Sequence, residues 1–149
     1  MNKMTYKERL QRDYLLLQKQ LFWLELSYKE AKKIKLQDSY ELEQHTVFET
    51  LSTRYIKSID FLLQNSFVSL DNYEFKIQYS QIELMNNAQN RKIFDSVDSF
   101  RDLYTLRINL LNEYNIDKLS NYFEELYFNS KLLIKTINNT LDYINKVIR

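Results

Sequence analysis

One arginine stands where the pattern around it asks for a hydrocarbon. Phe100, Leu103, Leu110 and Tyr114 recur at spacings that place them along one stripe of an α-helix, and Arg107 falls on that same stripe. A guanidinium on a buried stripe is costly unless it is paired, or unless the stripe opens onto a cleft or onto another chain. Further on, Tyr114 returns to nearly the azimuth of Arg107, with Asn112 and Glu113 beside it at the helix end. An arginine, an amide, a carboxylate and a phenol thus gather in one short stretch. The guanidinium and the amide can hold a phosphate or a hydroxyl, but the amide cannot accept and return a proton near neutral pH. The plain alternative is structural: Arg107 in an ion pair with Glu113 or with a neighbouring helix.

Other candidates are weaker. His45 is the sole histidine, so it cannot form the paired Glu-x-x-His elements of a di-iron bundle, and a surface or half-buried histidine is the simpler reading. Lys29, Lys32, Lys33 and Lys35 could touch phosphate, but Glu25 and Glu30 lie among them, which suits a solvated helix face. Aromatic residues make up 15% of the chain, and Tyr14, Tyr28, Tyr55, Phe100 and Phe123 sit on apolar stripes, where they read as core rather than as platforms for bases.

Composition excludes much else. The 149 residues contain no glycine, no proline and no cysteine. Without glycine, a P-loop, a GxGxxG turn, a GxSxG elbow and a kinase glycine loop cannot form. Without cysteine there is no thiolate nucleophile, disulfide or cysteine metal site, and neither a metal nor another cofactor is expected. A net charge of +1 provides no overall field for nucleic acid or anionic lipid. The polar, charged start is neither a signal peptide nor an anchor, and no apolar run approaches the roughly 18 residues of a membrane span, so the expectation is a cytoplasmic protein with no membrane contact.

The loss of glycine and proline, which average usage would put at roughly 12% together, also removes most β turns and bulges. The fold class is therefore all-α: an antiparallel bundle of about five helices in a single domain over residues 1–149. Leu10, Tyr14, Leu17, Leu21, Leu24, Tyr28 and Ala31 predict a first helix from about Tyr6 to Leu36, with Leu15, Phe22 and Leu26 broadening its buried face. At that length the helix has surface to spare for packing along a neighbour, such as another subunit. Asp38 with Glu41 predicts the cap of a second helix, which carries Phe48, Leu51, Tyr55, Ile59, Leu62 and Leu63 to about Leu70 and stops at the Asp71-Asn72 turn signal. A third helix is expected over Glu74 to Ala88, on Ile77, Ile82 and Met85. Asn90-Arg91-Lys92 reads as a loop, and Asp95 with Asp98 as the cap of the fourth helix. Asn115-Ile116-Asp117 ends that helix, and Asp117 caps a last one to about Val147, on Leu119, Phe123, Leu126, Leu133, Ile137, Leu141, Ile144 and Ile148.

At the Arg107 stretch the chain resembles a HEPN domain, of the type encoded beside a minimal nucleotidyltransferase in prokaryotic HEPN/MNT toxin–antitoxin pairs. That family carries Arg-x(4–6)-His, often extended to Arg-x4-His-x-Tyr, before a long final helix. Here Arg107 matches the arginine, Glu113 the variable position and Tyr114 the tyrosine, while Asn112 stands where the histidine belongs. Phe48 to Tyr55 followed by Ile59-Asp60 is similar to the family's second helix, and Asn90 to Phe100 resembles its approach to the motif helix. The likeness runs from about Leu10 to Ile144.

The resemblance implies a homodimer that brings two motifs together, and metal-independent RNA cleavage by attack of a ribose 2′-hydroxyl on the adjacent phosphate. In that scheme Arg107 steadies negative charge, Asn112 and Glu113 occupy the remaining catalytic positions, and Asn109 joins Arg107 in facing RNA. It also implies a nucleotidyltransferase partner that transfers AMP to Tyr114. The asparagine at 112 removes a proton relay that typically contributes about 10²–10⁴-fold, so catalysis is expected to be weakened or lost. Three readings stay open: a weakened ribonuclease, a non-catalytic substrate-binding partner of a nucleotidyltransferase with Tyr114 as the AMP acceptor, and a helical assembly protein with a decayed motif.

Overall fold

A computed structural model describes residues 3–77 and 80–149. Its order is α1 (Tyr6–Lys32), α2 (Leu42–Phe61), a single π turn (Leu62–Ser66), α3 (Phe67–Phe75), α4 (Gln81–Asn90), α5 (Val97–Asn112), the short α6 (Ile116–Leu119), a 3₁₀ turn (Ser120–Tyr122) and α7 (Phe123–Val147). No strand occurs among the described residues. Because α2, the π turn and α3 are continuous, and α6 leads directly into α7, the described residues make five rods. No helix among the described residues is long and apolar enough to cross a membrane.

Local chemistry sets the helix ends. Thr5 and Glu8 cap α1 reciprocally. At the start of α2 the cap is Glu41, whose N–H donates to the Gln44 side chain at 3.0 Å; Asp38 lies outside the helix, which corrects the expected Asp38–Glu41 pair. Ser96 rather than Asp95 caps α5, accepting from Ser99 N–H at 3.1 Å, and Asn115 rather than Asp117 caps α6. In each case a side chain nearby had the right chemistry but the wrong register. With no glycine available, lysines occupy the left-handed backbone positions, Lys76 after α3 (φ 57°) and Lys92 after α4 (φ 64°). At the second of these, Ile93 N–H donates to Ala88 O and Lys92 N–H to Gln89 O, closing a Schellman turn that costs roughly 1–2 kcal/mol more than it would with glycine.

The core runs along the facing stripes. Leu10, Leu17, Leu24 and Ala31 of α1 are fully buried, as are Phe48, Leu51, Tyr55 and Ile59 of α2 and Phe123, Leu126, Leu133 and Ile137 of α7. Phe48 stacks on Phe123 at 4.6 Å, and Phe94 on Phe100 at 4.9 Å. Tyr55 donates its hydroxyl to Leu103 O at 2.7 Å, so a phenol replaces a core hydrocarbon without leaving a polar atom unpaired.

Several expectations fail. The second rod does not stop near Leu70: Asp71 and Asn72 are helical and Asp71 is buried. The π turn adds a residue that rotates the following face by about 100°, which accompanies Asp71 facing inward where an even stripe would carry an apolar residue. The third helix begins at Gln81 rather than Glu74, Ile77 and Ile82 are exposed, and Gln78 and Tyr79 lie outside the described residues, as do Met1 and Asn2 at the chain start. Leu15, Phe22 and Leu26 of α1 are exposed, not buried. The buried seam of α1 repeats every seven residues, and α2, α3 and α7 pack against it.

Candidate functional site

Arg107 lies on the third turn of α5, between the buried Leu103 and Leu110. Its guanidinium reaches α2 rather than Glu113. Nε donates to Asp60 Oδ1 at 2.9 Å and Nη2 to Asp60 Oδ2 at 3.0 Å, a bidentate fork in which the two side chains keep 19% and 27% of their exposure. The ring of Tyr104 lies beneath the guanidinium at 5.6 Å. The bonds to Asp60, against a smaller effect of burial, hold the Arg107 charge more firmly than in free arginine. Of the two ion pairs open to Arg107, the one that forms is with a neighbouring helix.

The rest of the stretch separates from Arg107. Helix α5 ends at Asn112, and Glu113-Tyr114-Asn115 link it to α6, with Glu113 and Asn115 in extended conformation. Tyr114 is therefore not on the helical stripe. It is 88% exposed and has no hydrogen-bond partner among the described residues. Asn112 is exposed, Asn109 is half-buried, and neither makes a side-chain bond among the described residues. Glu113 folds back to accept from Asn115 N–H at 3.4 Å. The structure thus keeps Tyr114 open and commits Arg107.

The linker is pinned from α2. His45 places Nδ1 2.8 Å from Glu49 Oε1 and Nε2 3.1 Å from the carbonyl of Ile116, the first residue of α6. Both neighbours are acceptors, so a neutral imidazole, with one N–H, can donate to only one of them and an imidazolium to both. The ring also meets Phe123 edge-on at 4.8 Å. The sequence offered His45 as a surface or half-buried residue of the second helix, and it is half-buried there, but nothing in its spacing located it beside the end of the motif. Asp60 was equally silent as a partner: the contact spans 47 positions along the chain.

A second ion cluster went unseen. Arg91 caps α4 with a side chain 5% exposed, Nε 2.7 Å from Glu74 Oε1 and Nη2 2.7 Å from Asp71 Oδ1, the latter a close ion contact rather than an aligned hydrogen bond. Asn87 donates to Asp71 at 3.0 Å and the Tyr143 hydroxyl to Glu74 at 2.7 Å. Burial opposes the Arg91 charge, but the carboxylates of Asp71 and Glu74 beside it outweigh that, and the phenol of Tyr143 is pushed up by burial and then by Glu74. Chemically this is an ionic tie between α3, α4 and α7, in which Arg91 Nη1 is buried without a hydrogen-bond partner among the described residues.

Comparison of the chain with protein-family models, with curated protein sequences and with solved structures finds no match.

Proposed function

We propose that this chain is a HEPN-type component of a toxin–antitoxin-like pair, catalytically weakened or inert toward RNA, whose working group is the Tyr114 phenol, the acceptor of AMP from a nucleotidyltransferase partner. The observation that carries the reading is the contrast at the end of α5: Tyr114 stands on an extended linker at 88% exposure, while Arg107 is forked onto Asp60. A guanidinium whose Nε and Nη2 already serve a carboxylate has less to offer a phosphate in a transition state, and Asn112 cannot relay the proton. An exposed phenol with no partner among the described residues fits the other half of the family's chemistry. The Tyr114 oxygen attacks the α-phosphorus of ATP, the new P–O bond forms as the bond to pyrophosphate breaks, and the phenolic proton passes to a base of the transferase. His45, at Ile116 O, ties down the start of α6 just beyond the linker that carries Tyr114.

The test is the covalent state of the chain purified from its own cells. Intact-mass and fragment spectra are expected to show one AMP on Tyr114 in part of the population, and a nucleotidyltransferase is expected to co-purify. A uniformly unmodified chain with no such partner contradicts the proposal.

A further inference from the structure

The four lysines near the C-terminal end of α1 are not equivalent in the fold. Lys33 is paired with Glu30 at 3.1 Å, and Lys35 is exposed beyond the end of the helix. Lys29 and Lys32, one turn apart, instead border a groove of about 400 Å³ between α1 and α7. Lys131 of α7 lines the same groove, and none of these three makes an ion pair among the described residues. Lysines in the last turn of a helix suit its macrodipole, which accounts for Lys29 and Lys32. It does not account for Lys131, which lies well inside α7. The groove also holds two half-buried phenols, Tyr28 and Tyr127, whose rings stack at 5.3 Å and 21°. Burial, and then the neighbouring Tyr127, push the Tyr28 hydroxyl up to about 12, so it stays a proton donor near neutral pH. Glu25 is the one carboxylate on the lining, against three ammonium groups.

We propose that this groove binds a purine nucleoside triphosphate, with its phosphates among Lys29, Lys32 and Lys131 and its base against the Tyr28–Tyr127 pair. Ammonium groups hold phosphate as point charges, without demanding one orientation of the ligand. An aromatic face adds stacking that any base can use, and a purine offers the larger ring system. The size agrees, since small-molecule sites run from roughly 300 to 1,000 Å³. A nucleic-acid strand fits the surroundings less well. The seam between α1 and α7 continues as a second trough toward the C-terminal end of α7, past Tyr14, Gln18 and Asn138. On that trough Glu25 and Asp142 face Lys29 as the only cation. A strand following the seam would leave the lysines and meet two carboxylates, and a net charge of +1 gives the chain no wider field to hold it. The site uses neither Arg107 nor Tyr114 and does not rest on the acceptor reading.

Calorimetric titration of the full chain with ATP and with GTP tests this. No transferase is present and no covalent change occurs, so an unmodified Tyr114 in cells would leave the outcome as it stands. Saturable one-to-one binding is expected, with a Kd of about 10–100 µM for at least one of the two nucleotides. Inorganic tripolyphosphate, which keeps the charge but lacks the base, is expected to bind about 10-fold more weakly, and adenosine is not expected to saturate. K32E/K131E is expected to weaken the nucleotide about 30-fold or more. K19E/K57E, which makes the same change of charge outside the groove, is expected to leave binding as in wild type. All four substituted lysines are exposed, so both variants are expected to keep their helical circular dichroism. No saturable binding of either nucleotide up to about 2 mM, an equal loss in the two double variants, or tripolyphosphate bound as tightly as ATP would each overturn the proposal. So would a single-stranded RNA whose affinity climbs with length beyond that of ATP, which is the behaviour of a strand-tracking surface.

Discussion

Arg91 and Arg107 are both arginines bound to carboxylates of another helix, and they differ in how much of the molecule depends on them. Arg91 keeps 5% of its side-chain exposure, touches Asp71 and Glu74 at once, and lies over the rings of Phe75 and Tyr143 at 5.5 and 5.6 Å, so α3, α4 and α7 meet on one charge. Arg107 keeps 19%, has one carboxylate partner, and joins α5 to α2. The arginine that broke an apolar pattern is the less buried of the two. The one that looked like part of a polar loop is sealed in. Pattern violation along one helix measures only that helix, whereas burial is decided by what arrives from elsewhere in the chain.

The two arginines should therefore rank in stability as they do in burial. Arg91→Ala is expected to have the largest effect, about 3–5 kcal/mol of stability lost, because Asp71 is left buried without its counter-charge; urea unfolding followed by circular dichroism measures it. Arg107→Ala is expected to lose about 1–2 kcal/mol on the same measurement, since water can reach Asp60. A larger loss at 107 than at 91 would reverse this order. His45→Ala, which frees the Ile116 carbonyl and removes a ring from the face of Phe123, is expected to lose about 1 kcal/mol and to speed amide exchange in the linker after α5. Tyr114→Phe is expected to lie within about 0.5 kcal/mol of wild type, as an exposed, unpartnered phenol should. Asn112→His is expected to yield no gain in RNA cleavage while Asp60 holds Arg107; a clear gain would mean that the fork opens readily.

The helical class and the five rods were legible because the missing glycine and proline and the stripes at helical spacing act locally. The stripe of the last helix, from Leu119 to Ile148, is buried or half-buried throughout as expected. The caps were missed by one to three residues because Asp38, Asp95 and Asp117 have the same capping chemistry as the residues chosen, and the choice rests on where each rod meets its neighbours. Asp71-Asn72 reads as a turn in any window, and it is Arg91 and Asn87, arriving from α4, that make a buried carboxylate tolerable there. At the candidate site the sequence named Arg107 and Tyr114 and put them on one stripe. It could not show that α5 stops at Asn112, that Asp60 takes the guanidinium, or that His45 reaches Ile116 from a helix 71 residues away in the chain.

On the proposed reading Tyr114, and not Arg107, does the chemistry at this end of the molecule. Transfer of label from α-labelled ATP to the purified chain by its nucleotidyltransferase partner probes this without an intermediate step, with wild type, Arg107→Ala and Tyr114→Phe compared side by side. Comparable labelling of the first two and none of the third is expected. Labelling that survives Tyr114→Phe, or that vanishes with Arg107→Ala while the fold is intact, would refute it.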